Sequence, residues 1–425
     1  MKHSVLKKVS APLRATLIIG ALFLADCAGT PASSKEDALN HLNRGKAYYW
    51  EVKYNEAIQE LDKAIAIDKT LIEAYVWRGY TYIEKGDYNR AIEEFTAANR
   101  LDLNDSSIIT AWGIGYAYKG DYDRAIATFT AALHTNLNDA EAFHWRGLIY
   151  TYKADYNRAI ADFTDALSID PNDAASLTAR GFAYLKQALY DRAIADFTAA
   201  LHSNSTYYPI RIPQYFYADT LHWRGIAYGY NGDYDRAIAD FTAILSTDPN
   251  NIEVLHWRGI AYLRKDDYNR AIADFATTLR IDPNDAFILE ELDDALTRRG
   301  FAYLDKRAYD LSIAIFTAAL RLNQNNANAL GGLVFALTSR GFVYLNDKKD
   351  YNRALTDFND ALHINPNDTH ALTGLAGTFI SRGNAYHANG NYDRAIADFT
   401  DALRINPNDA NAKNNLEITR RQRGY

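Results

Sequence analysis

The chain has 425 residues, 48% of them hydrophobic and 23% charged, with a formal net charge of −7 and a single cysteine. That balance belongs to a soluble folded protein, rules out a disulfide-stapled scaffold, and supplies no basic stripe for a polyphosphate partner such as nucleic acid. The 31 tyrosines imply an unusually aromatic interior or groove.

The chain opens MKHSVLKKVSAPLRATLIIGALFLADC. Lys2, Lys7, Lys8 and Arg14 make a basic head, and the apolar run from Ala15 to Ala25 is too short to span a bilayer but suits the core of a signal peptide. Residues 1–26 are therefore expected to direct export and then be removed. Four Lys/Arg and one Asp go with them, leaving 42 basic and 52 acidic residues and a balance of −10. Leu24-Ala25-Asp26-Cys27 resembles the lipobox of bacterial lipoproteins, with Asp26 standing where a small residue is usual. The resemblance implies a lipid on Cys27, with residues 27–37 as a flexible Gly/Ser/Pro tether, and so a place in the cell envelope, at the outer membrane facing the periplasm or the surface. An ordinary secretory peptide with an incidental cysteine is the other reading.

Beyond the tether the sequence repeats itself. RAIADFT occurs four times, starting at Arg158, Arg192, Arg236 and Arg394, with near copies at Arg90, Arg124, Arg270 and Arg353. The step between neighbouring copies is commonly 34 residues, as from Arg90 to Arg124 and from Arg158 to Arg192. Such a period marks stacked supersecondary units, each too small to bury its own apolar face. In residues 252–285, Leu255, Gly259 and Tyr262 fall on one helical face, and Ala271, Phe275 and Thr278 or Leu279 on another. Two amphipathic helices follow, with Asp267 as N-cap of the second and Asp285 as N-cap of the next pair. Gly86, Gly120, Gly232 and Gly390 suit the left-handed residue that ends a first helix.

Gly147, Tyr150, Ala159, Phe163, Ala166 and Pro171, and likewise Gly225, Tyr228, Ala237, Phe241, Ile244 and Pro249, stand in the pattern of the tetratricopeptide repeat. Ten copies begin near Ala38, Ile72, Ser106, Ala140, Ala174, Ala218, Ile252, Asp293, Val334 and Ala376. The resemblance implies an all-α fold, a right-handed α-α superhelix whose first helices line a groove. Repeats 1–5 occupy 38–207 and repeats 6–7 occupy 218–285. An insertion at 208–217, YPIRIPQYFY, separates them as a hinge, an aromatic binding loop or a self-packed spacer. Repeats 8–10, at 286–409, each carry seven extra residues, enough for almost two turns of first helix without rotating its core face. Gly331, Gly332, Gly374 and Gly377 threaten local breaks there. Residues 410–425 form a capping helix and a basic tail.

An Arg precedes the first-helix Gly where a core Leu is common in the family, and an acid usually follows sixteen residues later. The pairs are Arg44 with Glu60, Arg78 with Glu94, Arg146 with Asp162, Arg180 with Asp196, Arg224 with Asp240, Arg258 with Asp274 and Arg382 with Asp398; Arg340 and Asp357 are one residue further apart. Trp112 and Thr128 replace both partners in the third repeat, while Arg299 faces Ile315. These pairs are expected to bridge the two helices of a repeat.

For a ligand, the row after the Gly comprises Lys46, Tyr80, Ile114, Leu148, Phe182, Ile226, Ile260, Phe301, Phe342 and Asn384, mostly apolar. Either neighbouring helices cover this row, or it forms a hydrophobic track for a protein or peptide segment or an apolar small molecule. His144, His222 and His256 stand three residues before the Gly, with Tyr152, Tyr230 and Arg264 further along. Histidines one helix pair apart cannot share a zinc with bonds of about 2.1 Å, so they read as groove-facing hydrogen-bond donors, and no metal or cofactor is expected. Some family members clamp carboxylate tails with Lys and Asn on this face; Lys46 is the only comparable residue in the row, so that mode is disfavoured. No catalytic constellation rises above the repeat. The expected function is a non-enzymatic interaction scaffold on the cell envelope, with a small-ligand carrier as the alternative; the oligomeric state is open.

Overall fold

A computed structural model describes residues 34–203 and 215–424, and among these it contains helices and short turns but no strand. Cys27, most of the tether, and 208–214 of the insertion lie outside the described residues. The chain divides into two compact units that part between Asp233 and Tyr234.

In the first unit the helix pairs are α1 (Ser34–Trp50) with α2 (Tyr54–Ile67), α3 (Ile72–Glu84) with α4 (Tyr88–Leu101), and α5 (Ser106–Lys119) with α6 (Tyr122–Thr135). α7 (Ala140–Tyr152) with α8 (Tyr156–Ile169), α9 (Ala174–Lys186) with α10 (Tyr190–His202), and α11 (Tyr215–Tyr230) complete it. The second unit holds α12 (Tyr234–Thr247), then α13 (Ile252–Arg264) with α14 (Tyr268–Ile281), and α15 (Ala286–Asp305) with α16 (Tyr309–Leu322). α17 (Ala327–Val343) with α18 (Tyr351–Ile364), α19 (Thr369–Ala388) with α20 (Tyr392–Ile405), and the capping α21 (Ala410–Arg423) follow.

Within each unit the odd-numbered helices lie side by side, α1 to α11 in one and α13 to α21 in the other. The even-numbered helices make no comparable contact with one another among the described residues. Each unit is therefore a two-layer solenoid run, with first helices in one layer and second helices in the other.

Sequence chemistry explains each pair. The residue that ends each first helix is left-handed in all ten repeats: Gly86, Gly120, Gly232 and Gly390 have φ between 73° and 84°. Val52, Ala154, Ala188, Asp266, Arg307 and Lys349 take the same turn with φ between 53° and 64°, a conformation that costs a residue with a Cβ roughly 1 kcal/mol. Asp87, Asp121, Asp155, Asp267 and Asp350 then cap the second helix by accepting from the backbone N–H three residues on; for Asp267 the donor is Arg270 N at 3.2 Å. Asp285 caps α15, accepting from Phe287 N and Ile288 N.

In eight repeats the core is one Gly on the first helix facing one Phe on the second; in the first repeat Gly45 faces Leu61. Phe95, Phe129, Phe163, Phe197, Phe275, Phe316, Phe358 and Phe399 are almost wholly buried. A Cβ at Gly79 would stand 2.6 Å from Phe95, and one at Gly113 2.6 Å from Phe129, so only a glycine permits this approach of helix to ring.

The seven-residue extensions form unbroken helices: α15 and α19 run 20 residues each against 13 in α13. The anticipated breaks at Gly332 and Gly374 do not occur, because each glycine lies against the buried Phe of the preceding repeat, Phe316 and Phe358 respectively. Packing energy outweighs the helical cost of glycine, about 1 kcal/mol. The ninth repeat departs elsewhere. Its one extra residue is absorbed by a π-helical turn over Tyr344–Lys348.

The Arg-acid rows bridge the two helices of a repeat. Arg146 donates from Nε and Nη2 to Asp162 at 2.9 and 2.7 Å; Arg180 holds Asp196, Arg258 holds Asp274, Arg340 holds Asp357 and Arg382 holds Asp398 in the same forked way. Burial raises the Asp162 carboxyl even with Arg146 beside it, while the hydrogen bonds to Asp162 raise the Arg146 guanidinium. Desolvation and attraction thus nearly offset, as for other partly buried pairs. Arg44 is looser, 3.7 Å from a Glu60 that His41 and Lys63 hold more closely. Arg299 reaches only Tyr303 Oη, and its Nε is buried without a partner.

Candidate functional site

A first helix turns one face to its second helix and one to the neighbouring first helices; what remains forms the open face of that layer. Glu141, Trp145, Leu148 and Tyr152 on α7 follow the spacing i, i+4, i+7, i+11 and trace one such stripe. The expected groove residues occupy it unevenly.

In the first unit much of the expected row belongs to the core. Tyr80, Ile114 and Ile226 are buried, Leu148 is half-buried against the Phe163 cluster, and Phe182 is half-buried with its ring edge-on to Trp223 at 4.8 Å. His144 is buried too. Its Nδ1 shares a 2.8 Å hydrogen bond with Ser176 Oγ on α9, and burial pushes its pKa down to about 4, so it joins two first helices as a neutral ring. His222 is likewise buried, beside Trp223 at 5.2 Å. Tyr152 and Tyr230 are exposed, their rings packed on Tyr122 at 4.5 Å and on Tyr190 at 5.6 Å.

The second unit is more open. Phe301 and Phe335 are 41% and 62% exposed, and Phe287 is 55% exposed with His256 edge-on to it at 5.0 Å. His256 and Ile260 are half-buried, and Arg264 is exposed. Phe342 is half-buried, edge-on to Phe358 at 5.0 Å, and lines a depression of about 530 Å³. Leu330, Val334 and Phe335 of α17 form its apolar side, with Asn365, Asp368 and His370 at the rim. This is the size of a pocket that takes a few side chains or a small molecule.

Sequence reading passed over Trp77, Trp145, Tyr118 and Glu141, all on first helices of the first unit. Trp77 packs between Tyr49 and Tyr80, and Tyr118 lies 5.8 Å from Trp145. Four-residue spacing from Glu141 to Trp145 would have placed both on one stripe. Among the described residues no group of His, Cys, Asp and Glu is arranged to hold a metal, and no helix is long and apolar enough to cross a membrane.

Models of the tetratricopeptide repeat match residues 72–105, 110–174, 224–286, 293–326 and 376–409, and a TPR repeat model matches 45–86. No curated protein matches the chain significantly. Among solved structures, it is similar to PilF of Pseudomonas aeruginosa (16% identity over 52% of this chain and 96% of that one, TM-score 0.45). The C-terminal part of a TPR repeat-containing protein from Cytophaga hutchinsonii is 21% identical over 61% of this chain and 99% of its own, with a TM-score of 0.44. YrrB, described as a TPR protein with an unusual peptide-binding site, is 23% identical over 39% of this chain and 86% of its own, with a TM-score of 0.31. The family matches together span more than half of the chain and fall on helix pairs in both units, so the chain belongs to the tetratricopeptide repeat family.

Proposed function

We propose that this protein is a non-catalytic scaffold whose first-helix layers dock segments of other proteins, held at a bacterial cell envelope by a lipid on Cys27. Tetratricopeptide repeat proteins serve as protein-protein interaction scaffolds, which is the general role; the site and the location are the proposal. The observation that carries it is the exposure of Phe287, Phe301 and Phe335 in one layer of first helices, beside the depression at Phe342. Large aromatics left in water at one face of a well-packed array cost free energy unless a partner covers them. The equivalent-looking Arg-acid pairs are no catalytic centre, since they recur in most repeats and satisfy each other.

The depression of about 530 Å³ also supports a second reading, a carrier of an apolar small ligand. Affinity purification of the wild type from its own cells, compared with a Phe301→Asp, Phe335→Asp variant, separates the two. A scaffold loses a bound polypeptide on substitution, whereas a carrier loses a small molecule seen in native mass spectra; retention of every bound species by the variant defeats both. For the anchor, metabolic labelling with an alkyne fatty acid should mark the wild type and leave Cys27→Ser unlabelled.

A further inference from the structure

The two most exposed large apolar side chains among the described residues stand at neighbouring turns of the first unit. Leu103, between α4 and α5, is 67% exposed, and Leu137, between α6 and α7, is 74% exposed. Later turns of this kind carry Pro171, Pro249, Pro283, Pro366 and Pro407 at the same place. The turn itself does not ask for leucine. Asn104 N donates to Asp102 Oδ1 at 2.9 Å and Asn138 N to Asn136 Oδ1 at 3.0 Å, the same bond that Asn172 N makes to Asp170 Oδ1 at 3.1 Å beside Pro171. With the backbone closed either way, the two leucines add only apolar surface.

Both leucines belong to one edge of the helix array. The helices of a pair are antiparallel, so every turn from a second helix to the next first helix lies on the edge where first helices begin. Asn136 Nδ2 donates to Ser106 Oγ at 3.4 Å, and Thr110 Oγ1 donates to Asp139 Oδ2 at 2.9 Å. The turn that holds Leu137 therefore packs on the start of α5, which directly follows the turn that holds Leu103. Ile67, Leu101 and Ile169, the last residues of α2, α4 and α8, are exposed along the same edge.

The chain enters the array on this edge. α1 begins at Ser34, and hydrogen bonds from Thr70, together with the weaker charge of Lys35, hold the Asp68 carboxyl below its usual range. The first turn of α1 thus sits beside the turn that follows α2. Seven residues lead from Cys27 to Ser34, a span of at most about 25 Å. Neighbouring helices pack about 8–10 Å apart, so Leu103 and Leu137 stand roughly 20 and 30 Å along the edge from the start of α1. A lipid on Cys27 would hold the first unit by the edge that carries them. The charges there are mostly acidic, Asp68, Asp102, Asp105 and Asp139 against Lys69 and Arg100, which disfavours an anionic surface and suits a zwitterionic one.

We propose that this edge of the first unit lies on the membrane that holds the anchor, with Leu103 and Leu137 inserted among zwitterionic phospholipid headgroups. This rests on the anchor reading and deepens it, giving the first unit an orientation on the lipid surface. Each leucine leaves water without any change in its turn, while Asp102, Asn104, Asn136 and Asn138 beside them stay in the polar headgroup layer. First helices run away from this edge, so their open face remains accessible to a protein segment.

The test uses the chain from Cys27 onward, which keeps every described residue, coupled through its single thiol to a maleimide-headgroup lipid in phosphatidylcholine vesicles. A polarity-sensitive fluorescent amino acid replaces Leu103, Leu137 or, on the opposite edge of the same unit, the exposed Leu189 between α9 and α10. Phosphatidylcholine brominated on its acyl chains should quench the label about threefold or more at 103 and 137, and by less than about a fifth at 189. Leu103→Asp should remove most of the quenching at 137 with helicity by circular dichroism unchanged, and replacing half of the lipid by phosphatidylglycerol should weaken it. Absent quenching at 103 and 137, equal quenching at 189, quenching that survives Leu103→Asp, or quenching that phosphatidylglycerol does not weaken would each overturn the assignment. So would a blue shift at 103 that appears without vesicles and grows with protein concentration, since that marks a second copy on the edge. The maleimide lipid supplies the anchor whatever cells attach to Cys27, so these outcomes leave the anchor reading to the fatty-acid labelling of Cys27→Ser.

Discussion

Arg258→Ala should unfold one repeat locally, and adding Asp274→Ala should cost almost nothing more. Arg258 donates two hydrogen bonds of 2.8 Å to Asp274, whose side chain is 8% exposed, and a third of 3.2 Å from Nη1 to Thr242 on α12. Removing the arginine strands a buried carboxylate, a loss of about 3 kcal/mol. Asp274→Ala alone leaves a guanidinium that is 18% exposed and still bonded to Thr242, so the loss is smaller, about 2 kcal/mol. In the double variant both charges are gone, and the expected loss stays near 3 kcal/mol instead of the roughly 5 kcal/mol that independent effects would give. A repeat array need not unfold in one step, so the assay is hydrogen exchange of peptides from α13 and α14. About 3 kcal/mol corresponds to roughly 150-fold faster exchange there, with repeats near the N-terminus unchanged. A double variant that loses the sum of the single effects would show that the pairing contributes nothing.

Other outcomes follow from the same contacts. Ala154→Gly and Ala188→Gly relieve a left-handed turn and should each stabilise by about 1 kcal/mol in urea titrations, while Gly86→Ala should destabilise by a similar amount. Gly79→Ala places a Cβ against Phe95 and should cost about 1–3 kcal/mol by the same measurement. Glu141 is protonated more readily in the folded chain than its ordinary 4.5, at about 7. Its stabilising effect is therefore complete below pH 4.5 and lost as pH rises through 7. His144, pushed down to about 4, acts in the opposite sense over an overlapping range, which makes the difference between Glu141→Gln and wild type the useful quantity. That difference should shift in favour of the variant by about 3 kcal/mol between pH 4 and pH 8, and a flat difference would refute the burial of the charge.

Local chemistry was legible wherever one repeat decides it. The Gly at 86 and 120, the caps at Asp267 and Asp285, and the Arg-acid spacing all act within or between adjacent helices, and the structure has them as the pattern implies. The open face was harder to read, because burial there depends on how closely three successive first helices approach. Tyr80 and His144 share the helical stripes of exposed residues, yet are covered by neighbouring helices. Phe301 stands in the same row as Tyr80 and remains in water. The helices through Gly332 and Gly374 were misjudged for a related reason: their glycines are set by the Phe of the preceding repeat, a contact that helix propensity alone does not contain. Glu141 and Trp145 went unremarked because neither stands at the positions that the repeat pattern singles out around the first-helix Gly.

The central claim is that partners contact the layer of first helices. Site-specific photo-crosslinking in intact cells tests it directly, with a photoreactive amino acid placed at Tyr152 or Phe335 on first helices and, for comparison, at Leu311, an exposed residue of the second helix α16. Discrete covalent adducts with another protein should form from Tyr152 and Phe335 and not from Leu311; adducts from Leu311 alone would contradict the account.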